Sequence, residues 1–158
     1  MRGLLKPNGC RPLTSAEQAL ARSIFSDALK LESIRLCEHP LVLKGYAVSP
    51  NGSVYFHPGE LPVDFGFESL SRQAWLIHEL THVWQVQQGS RVFVRALFDR
   101  RYDYELITAK PFSLFGVEQQ ARMVEDLFLR RARGLECMLL ARCIPFDLGR
   151  SDDKSWPV

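Results

Sequence analysis

Apolar residues recur at helical intervals in three stretches of this chain, and shorter alternating runs lie between the first two. Leu20, Ile24, Ala28 and Leu31 make one stripe from about residue 15 to 30, at the three-to-four spacing of a single helix face. Thr14 stands before it with Glu17 three places on, the spacing at which hydroxyl and carboxylate each satisfy an orphan backbone N–H. Ser33 to Cys37 alternates as a strand does. Tyr46–Ser49 and Ser53–Phe56 flank Pro50-Asn51-Gly52, a hairpin signal because proline pre-sets a turn dihedral and Asn-Gly accepts positive φ. A loop rich in Pro, Gly and Phe (57–67) leads to the strongest helical period, from about Ser69 to Gln88, stopped by Gly89. Val92 to Phe98 is apolar and fits strand or helix. Asp99 to Pro111 is charged and Tyr-rich and predicts a long loop. The third stripe starts near Val117 and runs to about Arg133, resuming after Gly134 as far as Arg142.

These elements predict an α+β domain over 14–145, with an irregular arm at 1–13 and a mobile polar tail at 146–158. A length of 158 residues suits one compact domain. Twenty Lys and Arg against eighteen Asp and Glu leave a formal net charge of +2, which gives no reason to expect a nucleic-acid partner. The run Arg130, Arg131, Arg133 is expected to be a solvated helix face. No stretch approaches the ~18 apolar residues needed to span a bilayer, so no membrane partner is expected. The first residues lack the apolar core of a cleaved export signal. Four cysteines (Cys10, Cys37, Cys137, Cys143) show no CxxC pair, and without an export signal they are expected to be reduced, mostly buried thiols. The expected compartment is the cytoplasm, with export by a route that needs no cleaved peptide left open.

Chemistry concentrates in the second helix, which reads Trp75-Leu-Ile-His78-Glu79-Leu-Thr-His82-Val-Trp-Gln85. Residues four apart on a helix lie about 40° apart and one turn along, so His78 and His82 can ligate one ion together. Glu79 stands ~100° round from His78, beside the seam, where its carboxylate can reach a water without displacing a ligand. Two imidazoles and a base on one rigid rod is the HExxH arrangement of zinc hydrolases. With four His in 158 residues, chance supplies such a match only about six times in a thousand.

A catalytic zinc site takes a third protein ligand and keeps one position open. Glu118, in the first turn of the last helix, is the leading candidate, and His57 after the hairpin is its rival; His39 reads as an exposed loop histidine. Tyr102 and Tyr104 lie in the loop between the two helices. Tyr104 is the preferred donor to an oxyanion. Asp126, eight residues after Glu118, is a candidate to orient a ligating imidazole and equally a candidate for a surface salt bridge. Trp75 and Trp84 read as core.

With HELTHVWQ at 78–85 and GVEQQA at 116–121, the chain resembles the bacterial Vgr-related (Rhs element Vgr-like) zinc peptidases, a branch of the zincin-like, gluzincin-type metallopeptidases. The resemblance runs nearly full length, from the Thr14/Glu17 helix start through SPNGSVYFHP to EQQAR. It implies zinc on His78, His82 and Glu118, with Glu79 catalytic. It also implies an active-site helix packed on a small antiparallel sheet with two further helices, an edge strand able to receive a peptide, and a secretion-apparatus partner of the contractile (type VI) kind. Gluzincins commonly place an acidic residue four positions after the ligand glutamate; here that position is Arg122. The expected function is a zinc metallopeptidase acting on protein or peptide, through water activated by the metal and by Glu79. The competing expectation is a catalytically silent, zinc-stabilised accessory module. Peptidoglycan hydrolysis is chemically open, with nothing in the residues to favour it.

Overall fold

The structure is a computed structural model describing residues 9–90, 100–106 and 110–146. Its first helix, α1 (Ser15–Phe25), opens as the Thr14/Glu17 spacing requires. The Thr14 hydroxyl accepts from the Glu17 N–H, and the Glu17 carboxylate accepts from the Thr14 N–H. The helix is shorter than the apolar stripe. Ser26 turns to φ 49° and ends it, and Leu29 and Leu31 reach the core from the following loop.

Among the described residues four short strands form one sheet: β1 (Gly9–Pro12), β2 (Arg35–Glu38), β3 (Ala47–Val48) and β4 (Val54–Phe56), ordered β1-β2-β4-β3. The hairpin between β3 and β4 forms around the expected turn, with Gly52 at φ 86°. The sheet is mixed rather than antiparallel, because β2 and β4 run parallel while β1 and β3 pair antiparallel at the two edges. β3 sits on the far side of β4, so the chain leaves β2 and comes back in the same direction.

Two expectations fail at the N-terminus. Gly9–Pro12 belongs to the sheet rather than to an irregular arm, and Cys10 and Cys37 are joined as a disulfide rather than standing as thiols. Cys10 opposes Cys37 in the β1–β2 register, which is what brings the two together. Free thiols remain at Cys137 and Cys143, both part-buried. β1 also delivers Arg11, whose guanidinium grips the fully buried Glu17 through two contacts of 2.8 Å and donates to the Pro62 carbonyl. Glu17 accepts in addition from the Phe65 N–H, tying β1 and α1 to the 3-10 turn at Phe65–Phe67.

That turn feeds α2 (Leu70–Gln87). The Ser69 hydroxyl caps its start, and Gly89 at φ 83° follows its end, where a residue without Cβ takes the left-handed conformation freely. α2 packs on β4 along one side, with the Trp75 indole edge-on to Phe56 at 5.1 Å. Along the other it packs on α3 (Val117–Ala132), and Leu76, Ile77, Leu80, Val124 and Leu127 are all fully buried in one core. Gly134 at φ 65° separates α3 from the short α4 (Met138–Cys143), so the described residues hold three helices besides α2, where two were expected. Arg130, Arg131 and Arg133 lie exposed at the end of α3.

Residues 100–106 are irregular, as expected of that stretch. The ambiguous run Val92–Phe98 lies outside the described residues. So does the expected tail from 147 on, whereas Phe146 is buried against Phe25 and Trp84. Among the described residues no helix is long and apolar enough to cross a membrane.

Candidate metal centre

One face of α2 presents His78 and His82, with rings 5.0 Å apart and nearly perpendicular. The first turn of α3 brings Glu118 against both: its Oε2 lies 3.3 Å from each Nε2. One ligand atom from each of the three residues falls within 4.8 Å of the others. An ion bound tetrahedrally at ~2.0–2.1 Å spreads its donors about 3.3–3.4 Å apart, so the carboxylate already stands at coordination spacing from both imidazoles.

The outer nitrogens decide which ring atom is left to bind. His78 Nδ1 faces Glu125 Oε2 at 3.0 Å and His82 Nδ1 faces Gln85 Oε1 at 2.9 Å. Both oxygens are acceptors, so each Nδ1 carries a hydrogen and each Nε2 is the atom left able to ligate an ion. The Gln85 amide cannot turn round. Its Nε2 donates to the Val117 carbonyl and to Gln120 Oε1, and Gln120 in turn donates to the Phe112 and Phe115 carbonyls. The donor set, its spacing and its fixed tautomers suit a borderline divalent cation such as zinc.

The electrostatics call for positive charge at the same spot. Burial disfavours a charged imidazole at His78. The hydrogen bonds to Glu118 and Glu125 and the Glu79 charge outweigh it and raise the pKa from 6.5 to about 10. His82 moves up against burial as well, chiefly through Glu118. Burial would raise the Glu118 carboxyl, yet hydrogen bonds from both imidazoles hold it down at about 2. A buried cluster rich in carboxylates therefore takes up protons unless a cation replaces them.

Glu79 is buried, and its Oε2 accepts from the Ser49 hydroxyl at 3.0 Å. Ser49 follows edge strand β3, so the sheet margin and the second helix meet at this carboxylate. The His78–His82–Glu118 group opens into a cleft of about 300 Å³, walled by Tyr46, Ser49, Trp75, Tyr102 and Arg122 among others. The Tyr102 ring stacks beside His78 at 6.3 Å. Burial raises its phenol pKa, and the Glu118 and Glu79 charges add to the effect, so Tyr102 stays protonated as a donor.

His78, Glu79, His82 and Glu118 are thus brought together; other candidates stand elsewhere. Tyr104 is not part of the cleft wall: its hydroxyl donates to Asp126 Oδ2 at 2.6 Å and its ring packs edge-on to Phe115. Asp126, engaged there, does not orient an imidazole; Glu125 does. Spacing explains the difference, since seven residues bring a side chain back to within about 20° of Glu118 whereas eight overshoot by about 80°. His57 places Nδ1 at 2.7 Å from the Val42 carbonyl, away from the cluster, and His39 Nδ1 accepts from the Leu41 N–H. Glu125 was findable from helical period alone, and so was Gln85, three residues past His82. Ser49 left no sequence signal.

No family model matches the chain. It is 35% identical over 133 residues to the type VI secretion system spike protein VgrG2b of Pseudomonas aeruginosa, across 77% of this chain and 13% of that protein. The chain therefore spans only about an eighth of that relative. Among solved structures, it is similar to the effector domain of Pseudomonas aeruginosa VgrG2b at a TM-score of 0.75 and 32% identity, covering 90% of this chain and 86% of the other.

Proposed function

Since the chain belongs to the family of the VgrG2b effector domain, and is linked through it to type VI secretion, we propose that it is a zinc-dependent peptidase serving as an effector domain of such a system. The observation that carries the reading is the convergence of His78, His82 and Glu118 within 4.8 Å, with the Glu79 carboxylate buried alongside. His78, His82 and Glu118 would hold the ion. When bound, zinc supplies Lewis acidity to a water and to the carbonyl of a peptide bond. Glu79 takes a proton from the water and passes it to the departing amine, its carboxylate kept in place by Ser49. Tyr102, rather than Tyr104, donates to the oxyanion. The substrate is a protein or peptide entering along the cleft beside β3, and the partner is the secretion apparatus that carries the domain.

The test pairs metal analysis with cleavage of a broad peptide library. Glu118→Ala is expected to lose stoichiometric zinc. Glu79→Gln is expected to keep zinc and lose cleavage by at least a hundredfold. Tyr102→Phe is expected to keep zinc and lose about 10²-fold in kcat, the usual cost of one oxyanion donor, with Tyr104→Phe far less affected. Full zinc in Glu118→Ala would remove the ligand assignment. A zinc-loaded wild-type protein that cleaves nothing would leave the accessory-module reading in its place.

A further inference from the structure

Arg122 occupies the position where a gluzincin commonly carries an acid, one turn beyond Glu118. It lines the metal cleft and, with Tyr102, also the wall of a second cavity of about 620 Å³. Among the described residues it is the one lysine or arginine in the cleft wall, which is otherwise acidic through Glu79, Glu118 and Glu125. Its guanidinium is braced from behind. Nε stands 3.2 Å from Asp126 Oδ1, and the second oxygen of Asp126 accepts from the Tyr104 hydroxyl at 2.6 Å. Its Nη1 is 3.9 Å from Glu125 Oε2, an ion pair too long for a hydrogen bond. No described residue accepts a hydrogen bond from either Nη group, and the side chain is 48% exposed. Asp126, itself bonded by Tyr104, thus pairs with one edge of a planar cation that lines the cleft, and the fork at its other end takes no hydrogen-bond acceptor among the described residues.

A fork held in this way matches a carboxylate with two parallel hydrogen bonds, which a lysine cannot reproduce. We propose that Arg122 is a substrate-carboxylate subsite, and that the domain prefers peptides with an acidic group close to the bond it cleaves: an Asp or Glu side chain, or a chain-terminal carboxylate. This deepens the peptidase reading and rests on it. The Tyr104–Asp126 pair becomes the support that aims the guanidinium. An arginine serving only to neutralise Asp126 and Glu125 would affect stability and would be indifferent to the charge of a ligand.

The test uses the zinc-loaded full chain and small hydroxamates, which grip a zinc ion directly. Malonyl, succinyl and glutaryl monohydroxamates place a carboxylate at three distances, and each is compared with its neutral methylamide by calorimetry. At least one acid is expected to bind wild type ten- to a hundredfold tighter than its methylamide. In Arg122→Gln and Arg122→Ala that preference is expected to vanish, with methylamide affinity kept within about threefold, and Arg122→Glu should favour an ammonium-bearing analogue instead. Two variants guard against one that fails to fold. Equal affinity of acid and methylamide at all three lengths, or a preference that survives Arg122→Gln, overturns the subsite and leaves the metal centre standing. Failure of every hydroxamate to bind the zinc-loaded protein overturns the metal reading, and the subsite with it.

Discussion

Replacing Gln85 by leucine separates what this amide does for the fold from what it does for the ion. Leucine is close in volume, so no large cavity opens, but three buried hydrogen bonds disappear: one from His82 and two donated to Val117 and Gln120. Each buried group left without a partner costs about 1–3 kcal/mol, and the gain from burying an apolar side chain offsets part of the sum. A net loss of roughly 2–4 kcal/mol is expected. At about 2–4 °C per kcal/mol for a chain of this size, the metal-free protein should melt roughly 5–12 °C lower. Zinc affinity should fall about 10- to 100-fold, the usual cost of removing the partner behind a ligating imidazole. Gln85→Glu is the informative companion. It keeps an acceptor for His82 and loses both donated bonds, so zinc affinity should recover while the melting temperature stays low. Calorimetry in chelator reads the first quantity, and competition with a chromophoric chelator reads the second. A leucine variant that melts within about 1 °C of wild type and binds zinc equally well would refute the role given to this network.

Four further outcomes follow from the structure. Glu125→Gln should weaken zinc by about 10- to 100-fold through His78 while leaving the metal-free melting temperature within a few degrees, again measured by chelator competition. The metal-free protein should be most stable between about pH 4.5 and 6.5. Stability from the raised His78 is complete below 6.5 and is lost as pH climbs through about 10, while that from the lowered Glu118 is complete above 4.5 and is lost as pH falls through about 2. Stabilisation by added zinc should run the other way and grow from pH 5 to 8, because the ion must displace protons from the imidazoles; calorimetry across pH checks both. Reducing Cys10–Cys37, which closes a loop 27 residues long in sequence, should cost about 3–4 kcal/mol and lower the melting temperature by roughly 7–14 °C; an unchanged melt in reductant would contradict this.

The parts legible in the sequence are those set by short-range periodicity. The capped start of α1, the β3–β4 turn and both ends of α2 follow from residues within four positions of one another, and the same arithmetic puts His78 and His82 on one face. Glu118 could be named because a carboxylate in the first turn of a second apolar helix has few places to go. What escaped depends on register or on loop path. β1 is an edge strand of mostly exposed residues, without the alternation that marks a half-buried one. Its opposition to β2, and so the cysteine pairing, is fixed only once the sheet is assembled. Tyr102 and Tyr104 are two residues apart in an irregular segment, where nothing local says which of them turns toward His78. Asp126 lies about 80° round α3 from Glu118, and of the two roles open to it in the sequence the structure shows the salt bridge, to Arg122. The parallel pairing of β2 with β4 reflects where the β3–β4 hairpin docks, a tertiary choice with no local signature.

The bond between Cys10 and Cys37 also bears on when this molecule becomes itself. β1 is pinned there, and β1 carries the arginine that neutralises a carboxylate sealed inside the protein. Among reductants the strand that carries it is held by a four-residue ladder at the sheet margin and by the grip of Arg11 on Glu17 and the Pro62 carbonyl, and the chain is easier to unravel. Where thiols are oxidised the margin is sewn shut and the buried charge keeps its partner. Surroundings that form disulfides would thus act as the last step of folding, hardening a protein that is comparatively pliant wherever thiols stay reduced.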